Sequence, residues 1–209
     1  MALEDNLLWA TIWIIIASVF DFLDGLVARL LNAYSPVGKE LDSLGDVVSF
    51  GVAPGMIVFQ LLRGASEYLT IGSLSMYVPY LAFIIPVFSA LRLAKFNVDE
   101  RQTTSFLGLP VPAHALFWSS LSYSLQPIIH HNTTLFVIVI VISSFLTSLL
   151  LVSEIPMFSL KIKSLSLKGN EMQYLLLVCS IIFIVFFGFL GITGAIFLYV
   201  LLSIFNKKR

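Results

Sequence analysis

Apolar residues along the chain gather into seven runs with short polar breaks, at roughly 7–31, 43–62, 76–97, 112–127, 134–152, 173–189 and 191–206. Each approaches the ~20 apolar residues that a helix rising 1.5 Å per residue needs to cross a bilayer core. The pattern predicts an all-α fold, a polytopic transmembrane helix bundle of about seven spans. The fourth run is short and is led in by Pro110 and Pro112, and Pro112 suits the first turn of a helix. The last two runs share one apolar stretch. Gly188, Gly191 and Gly194 predict a break there, with one long tilted helix as the alternative. No period of 20–50 residues marks a repeat array, so residues 1–209 read as a single membrane domain.

Composition narrows the class. Hydrophobic residues make up 58% of the chain and charged residues 11%, with a mean hydropathy of +0.97. An ordinary soluble domain carries about 25% charged residues, so the lipid bilayer is the expected surrounding. A soluble enzyme and a disordered chain are excluded. The 12 basic and 12 acidic residues cancel, which leaves no net field to draw nucleic acid. Cys179 stands alone in an apolar run, so no disulfide framework or cysteine metal site is expected. Glu4 and Asp5 replace a basic start and no A-x-A-like site follows, so no cleavable signal peptide is expected.

The basic residues fix an orientation. Arg29 and Lys39, then Arg92, Lys95 and Arg101, then Lys161, Lys163 and Lys168, then Lys207, Lys208 and Arg209 all fall on one side if the spans alternate. The other side has Arg63 alone. The positive-inside rule makes the first set cytoplasmic. Segment 154–172, which alternates Lys with apolar residues, fits either a membrane-surface segment or a solvated loop. Asn132-Thr133-Thr134 matches a glycosylation sequon and reads as a turn between spans.

The chemistry is concentrated in one stretch. Asp21 and Asp24 are three apart, and Asp42 and Asp46 are four apart, so each pair shares a helical face. A short turn through Asn32, Tyr34, Ser35 and Pro36 brings the two faces together near the cytoplasmic end of two antiparallel helices. Asp21 lies about 14 residues, or ~21 Å, into the first span. A charge in the centre of the membrane costs roughly 2.5–3.5 kcal/mol. Four neighbouring carboxylates with Arg29 as their one basic neighbour therefore call for protonation or bound cations. A cluster of oxygen ligands suits hard divalent ions, and two of them would balance the four carboxylates and suit phosphoryl chemistry. Gly25 and Gly38 allow close approach of a ligand or backbone, Ala28 keeps that face open to a pyrophosphate, and Arg29 can pair with a phosphate. Isolated helix caps are a poor account of four carboxylates at this spacing. A proton or ion pathway would spread its acids over several helices and depths.

Asp21, Asp24, Gly25, Ala28, Arg29, Gly38, Asp42 and Asp46 fill every fixed position of D-x2-D-G-x2-A-R-x8-G-x3-D-x3-D, over residues 21–46. The chain thereby resembles the CDP-alcohol phosphotransferases. Segments 39–55 (from Lys39-Glu40-Leu41-Asp42) and 90–113 (Ala90-Leu91-Arg92 through Gly108-Leu109-Pro110-Val111-Pro112-Ala113) are similar to the bacterial and archaeal phosphatidylserine synthases among them.

The resemblance implies a multi-pass enzyme of the cell (inner) membrane whose site faces the cytoplasm. Its partners would be CDP-diacylglycerol and L-serine, its products phosphatidylserine and CMP, and its cofactors two divalent cations, Mg2+ or Mn2+. It implies that Asp21, Asp24, Asp42 and Asp46 ligate metal and that Asp46 is also general base. Asp24, Gly25, Ala28, Arg29 and Gly38 would shape the nucleotide and pyrophosphate pocket. It further implies homodimers, which the residues by themselves do not require. Members usually carry a further span before the signature helix. Only six residues precede the first apolar run here, so one N-terminal helix of the family is expected to be missing.

For the serine carboxylate, Arg92 and Lys95 are candidates on the cytoplasmic end of the third span, with Asn97 a third. Lys95 equally suits a snorkelling anchor and Asn97 a helix cap. Ser43 and Ser49 flank the acidic face, His114 reads as a satisfied structural residue, and His130 and His131 fall on the far side. Glycerol 3-phosphate or inositol phosphate are the alternative acceptors, and both would want a richer basic pocket. A cation-coupled transporter and a non-catalytic scaffold are the alternatives from other classes.

Overall fold

The computed structural model describes residues 2, 6–33, 35–99, 106–129, 132–158 and 170–205. Eight α-helices dominate it: α1 (Leu7–Leu30), α2 (Pro36–Asp46), α3 (Ala53–Ser66), α4 (Ile84–Val98), α5 (Val111–Leu125), α6 (Thr133–Val152), α7 (Glu171–Phe187) and α8 (Phe189–Phe205). Among the described residues the bundle is all-α apart from one antiparallel pair of two-residue strands, β1 (Phe106–Leu107) and β2 (Pro156–Met157).

Local chemistry sets the helix ends that matter for the site. α1 runs out at Leu30, and Asn32 turns the chain in the left-handed region with φ 50°, a conformation asparagine tolerates well. Ser35 then caps α2, its Oγ accepting from the Gly38 N–H at 3.0 Å, with Pro36 in the first turn. The second helix therefore begins at Pro36 rather than at 43, because cap and proline act before the apolar run starts.

From Pro36 the helix runs on to Ser66, interrupted by a π-helical stretch at Val47–Val52 directly after Asp46. Such wide turns inside α-helices are uncommon and gather at functional sites. Near the end of this stretch and just beyond it, two glycines admit α4. A Cβ on Gly51 would meet the Ser89 Cβ at 3.0 Å, and one on Gly55 would meet the Pro86 Cδ at 2.9 Å. The third predicted span is a 3-10 segment, Gly72–Phe83, that continues into α4. Tyr77 and Tyr80 on it are exposed, as interfacial aromatics of a membrane protein are.

α5 is the central helix. His114, Ala115, Trp118, Ser119 and Ser122 on it are buried. Thr11 of α1 donates to the Ser119 carbonyl at 3.0 Å, and Ser120 shares a 2.8 Å hydrogen bond with Thr193 of α8. In hydrocarbon, such interhelical bonds contribute about 0.6–1.7 kcal/mol each. Gly188, at φ 57°, breaks the last apolar stretch. α8 folds back on α7 so closely that a Cβ on Gly191 would overlap the Phe183 carbonyl, which replaces the single long helix with a hairpin.

Among the described residues, four helical stretches are long and apolar enough to cross a membrane: Leu7–Leu30, Pro36–Ser66, Gly72–Val98 and Thr133–Val152. α5, with 15 residues, and α7 and α8, with 17 each, are shorter than the ~20 of a full perpendicular span. Asn132 adopts φ 48° and caps α6 through Leu135 N, in line with a turn there. Residues 100–105, 130, 131, 159–169 and 206–209 lie outside the described residues, and with them Arg101, His130, His131, Lys161, Lys163, Lys168 and the basic tail.

Candidate active site

At one end of the bundle the C-terminal ends of α1, α4 and α6 meet the N-terminal ends of α2 and α5. Lys39 Nζ donates to the Asn97 carbonyl at 3.3 Å, and Lys95 Nζ donates to the Val152 carbonyl at 3.2 Å. The described basic residues of the expected cytoplasmic segments thus share this end.

Carboxylate oxygens of Asp21, Asp42 and Asp46 all lie within 4.8 Å of one another. The α1–α2 turn thus brings the acidic faces of the two helices together. Asp24 joins Asp21, Asp42 and Asp46 in lining a cleft of about 410 Å³ that also takes in Gly45 and Ser49. Like charges this close repel strongly where the surroundings are partly apolar. An all-oxygen donor set of this kind fits hard divalent cations.

A neighbouring cleft of about 800 Å³ is lined by Asp21, Asp24, Gly25, Ala28, Arg29, Gly38, Lys39 and Asp42, with Phe22 and Phe96 among its apolar walls. All the residues expected to form the nucleotide and pyrophosphate pocket are therefore brought together. A Cβ on Gly25 would meet nothing within 4 Å, so glycine there keeps space open. Gly38 has a further reason to be glycine: a Cβ would meet Ser35 Oγ at 2.9 Å and disturb the α2 cap.

On the far side of Asp46 lies a smaller cavity of about 140 Å³, lined by Asp46, Arg92, Leu93, Phe96, Pro110, Val111 and Pro112. Arg92 is 4% exposed. Its guanidinium carbon sits 5.3 Å from the centre of the Phe96 ring, a cation–π contact that stabilises a desolvated cation.

The three acceptor candidates part company here. Arg92 lines the cavity. Lys95 turns to the end of α6, where its Nζ also lies 3.7 Å from Glu154 Oε1. Asn97 ties α4 to α2: its Nδ2 donates to Ser43 Oγ at 2.9 Å, and Ser43 Oγ donates to the Lys39 carbonyl at 3.1 Å. Sequence reasoning passed over Lys39, Phe96 and Pro110–Pro112 as walls, although the Gly-Leu-Pro-Val-Pro run marked the last of these.

His114 is fully buried, and Trp118 Nε1 donates to its Nε2 at 3.1 Å and to Thr147 Oγ1 at 2.9 Å. That network joins α5 to α6 and agrees with a structural histidine.

Comparison with known proteins gives the same direction. A family model described as CDP-alcohol phosphatidyltransferase matches residues 1–201. The chain is similar to proteins named CDP-diacylglycerol–serine O-phosphatidyltransferase in several organisms. It is 34% identical to that of Bacillus subtilis (strain 168) over 127 residues, 61% of this chain and 67% of the relative. It is 44% identical to that of Helicobacter pylori (strain J99) over 107 residues, 50% of this chain and 42% of the relative. It is 37% identical to that of Mycobacterium leprae (strain TN) over 165 residues, 75% of this chain and 51% of the relative. The chain thus spans between 42% and 67% of the length of these relatives. With a family model matched along nearly its whole length and the acidic pattern folded into one cleft, the chain belongs to the CDP-alcohol phosphatidyltransferase family.

Proposed function

We propose that this protein transfers the phosphatidyl group of CDP-diacylglycerol to the hydroxyl of L-serine, forming phosphatidylserine and releasing CMP at the cytoplasmic face of the cell membrane. The observation that carries the proposal is the position of Asp46. It lines both the acidic cleft and the Arg92 cavity, so one carboxylate borders both the space that would hold the cations and the acceptor space.

Asp21, Asp24, Asp42 and Asp46 are the residues that would hold two divalent cations, Mg2+ or Mn2+. Bound there, such ions neutralise the carboxylates and stabilise negative charge developing on phosphate oxygens. The chain's own groups do the rest. Gly25 and Ala28 leave room for the pyrophosphate, and Arg29 offers a guanidinium to a phosphate oxygen. Arg92 holds the serine carboxylate by a charge-assisted pair in a desolvated cavity, which directs the serine hydroxyl toward Asp46. The Asp46 carboxylate accepts the hydroxyl proton as the oxygen attacks the β-phosphorus, and CMP departs. General-base help of this kind contributes about 10²–10⁴-fold.

Size and charge favour serine over the phosphorylated acceptors. At about 140 Å³ the cavity is the smaller of the spaces that Asp46 lines. It presents one guanidinium, enough for one carboxylate but sparse for a phosphate dianion. The similarity to relatives named for the serine reaction supports the same choice.

The test is CMP release by the purified protein in liposomes containing CDP-diacylglycerol, with L-serine, glycerol 3-phosphate or inositol phosphate as acceptor. Release should require Mg2+ or Mn2+ and be supported by serine. Release with another acceptor in place of serine overturns the acceptor assignment. Substrate flux across the bilayer without CMP release overturns the transferase reading.

A further inference from the structure

We propose that the end of α6 and the strand after it, Leu150–Met157, form a frame that sets the width of the Arg92 cavity, and that Gly108 and Lys95 are positioning residues acting through it. The proposal rests on the acceptor assignment above and adds what fixes the acceptor space.

Besides Asp46 of α2, the cavity has two walls from different parts of the chain: Arg92, Leu93 and Phe96 from α4, and Pro110–Pro112 at the start of α5. No residue of the 150–157 segment lines it, yet that segment grips both walls. The last carbonyls of an α-helix have no intrahelical donors, and α6 offers its own to the two walls separately. The Val152 carbonyl takes Lys95 Nζ from α4 at 3.2 Å, with Glu154 Oε1 3.7 Å from the same ammonium. A cation there also meets the negative end of the helix dipole. The Leu150 carbonyl takes the Leu109 N–H at 3.0 Å, and the Ile155 carbonyl takes the Gly108 N–H at 2.9 Å. β1 pairs with β2 in register, Phe106 with Met157 and Leu107 with Pro156. Leu151 and Met157 are fully buried, so the frame is anchored in the core.

Gly108 is where this grip is tightest. Its φ is +77°, in the region that favours glycine. A Cβ would lie 2.5 Å from the Leu151 carbonyl oxygen, 2.9 Å from that of Ser153 and 3.0 Å from that of Leu150. Those are backbone atoms at a packed helix end and cannot swing aside. A side chain at 108 must therefore displace the loop that carries Pro110, two residues on. Displacements near 1 Å in a reacting geometry cost up to about 10²-fold.

The experiment measures steady-state CMP release by full-length wild type, Gly108→Ala, Lys95→Met and Lys95→Arg, with L-serine and with L-threonine, whose extra methyl probes cavity width. Gly108→Ala and Lys95→Met should each raise KM for serine about tenfold and change the threonine-to-serine ratio of kcat/KM. KM for CDP-diacylglycerol should stay within about twofold. Lys95→Arg, which keeps a cationic donor to Val152, should restore the wild-type ratio. Lys95→Met reads the frame from the α4 wall, without the backbone strain of Gly108→Ala.

An unchanged threonine-to-serine ratio in both variants, whether or not overall activity falls, overturns the frame. If wild type uses another acceptor, the serine assignment fails. The frame is then judged by the same variants on KM for that acceptor.

Discussion

The two sides of Asp46 are built on opposite plans. On the acidic side, α1 buries Leu7, Thr11 and Ile14, all in its first half, and nothing in the half that carries Asp21 and Asp24. α2 buries no residue at all. On the acceptor side Arg92 is almost wholly enclosed, and α5 behind it is among the most buried helices, pinned to α6 by the Trp118–His114–Thr147 hydrogen bonds. The difference suits the proposed reaction, in which a lipid-borne nucleotide needs an open cleft reachable from the bilayer. Several carboxylates also tolerate partial exposure better than burial, because solvent lowers their mutual repulsion. A small zwitterion has few handles, so one desolvated guanidinium in a tight cavity must supply both affinity and direction.

Substitutions on either side of Asp46 should have separable effects. The largest effect is expected on the acidic side. Asp42→Asn should lower CMP release by about 10²-fold or more and weaken Mn2+ binding, which titration by electron paramagnetic resonance reads without turnover. A variant that binds Mn2+ as wild type would remove Asp42 from the ligand set. On the acceptor side, Arg92→Met should raise KM for serine by roughly 10–100-fold, in keeping with the ~1.5–3 kcal/mol of a hydrogen bond to a charged group. KM for CDP-diacylglycerol should hold. Equal rises in both constants would show that the two sides are not separate. The smallest effect belongs to the scaffold. Thr147→Val removes one of the two acceptors of Trp118 Nε1 and should cost about 1 kcal/mol of stability, seen as a lower thermal midpoint in detergent with kinetics unchanged.

Legibility in the sequence followed the same divide. The four aspartates were readable because helical spacing alone puts each pair on one face, and a polar break placed the turn between them. Most helix positions were readable from the apolar runs, since such runs in lipid have few other conformations open to them, but of the seven expected spans four are long and apolar enough to cross a membrane among the described residues. Gly188 marked the hairpin break. The acceptor side depends on contacts between segments far apart in the chain, which periodicity does not encode. Lys95 and Asn97 carry the right chemistry for a carboxylate, yet Val152 and Ser43, more than 50 residues away in sequence, engage them. The start of α2 was missed because Ser35 and Pro36 initiate a helix in polar sequence, ahead of any apolar pattern.

Asp46 is assigned to both sides, and its own substitution bears on that assignment above all others. Asp46→Asn keeps the side-chain shape and removes the carboxylate's capacity to take a proton. CMP release with serine, CDP-diacylglycerol and Mn2+ should fall by about 10²–10⁴-fold in a variant that still elutes as a folded protein. Serine-dependent CMP release at the wild-type rate would contradict the account.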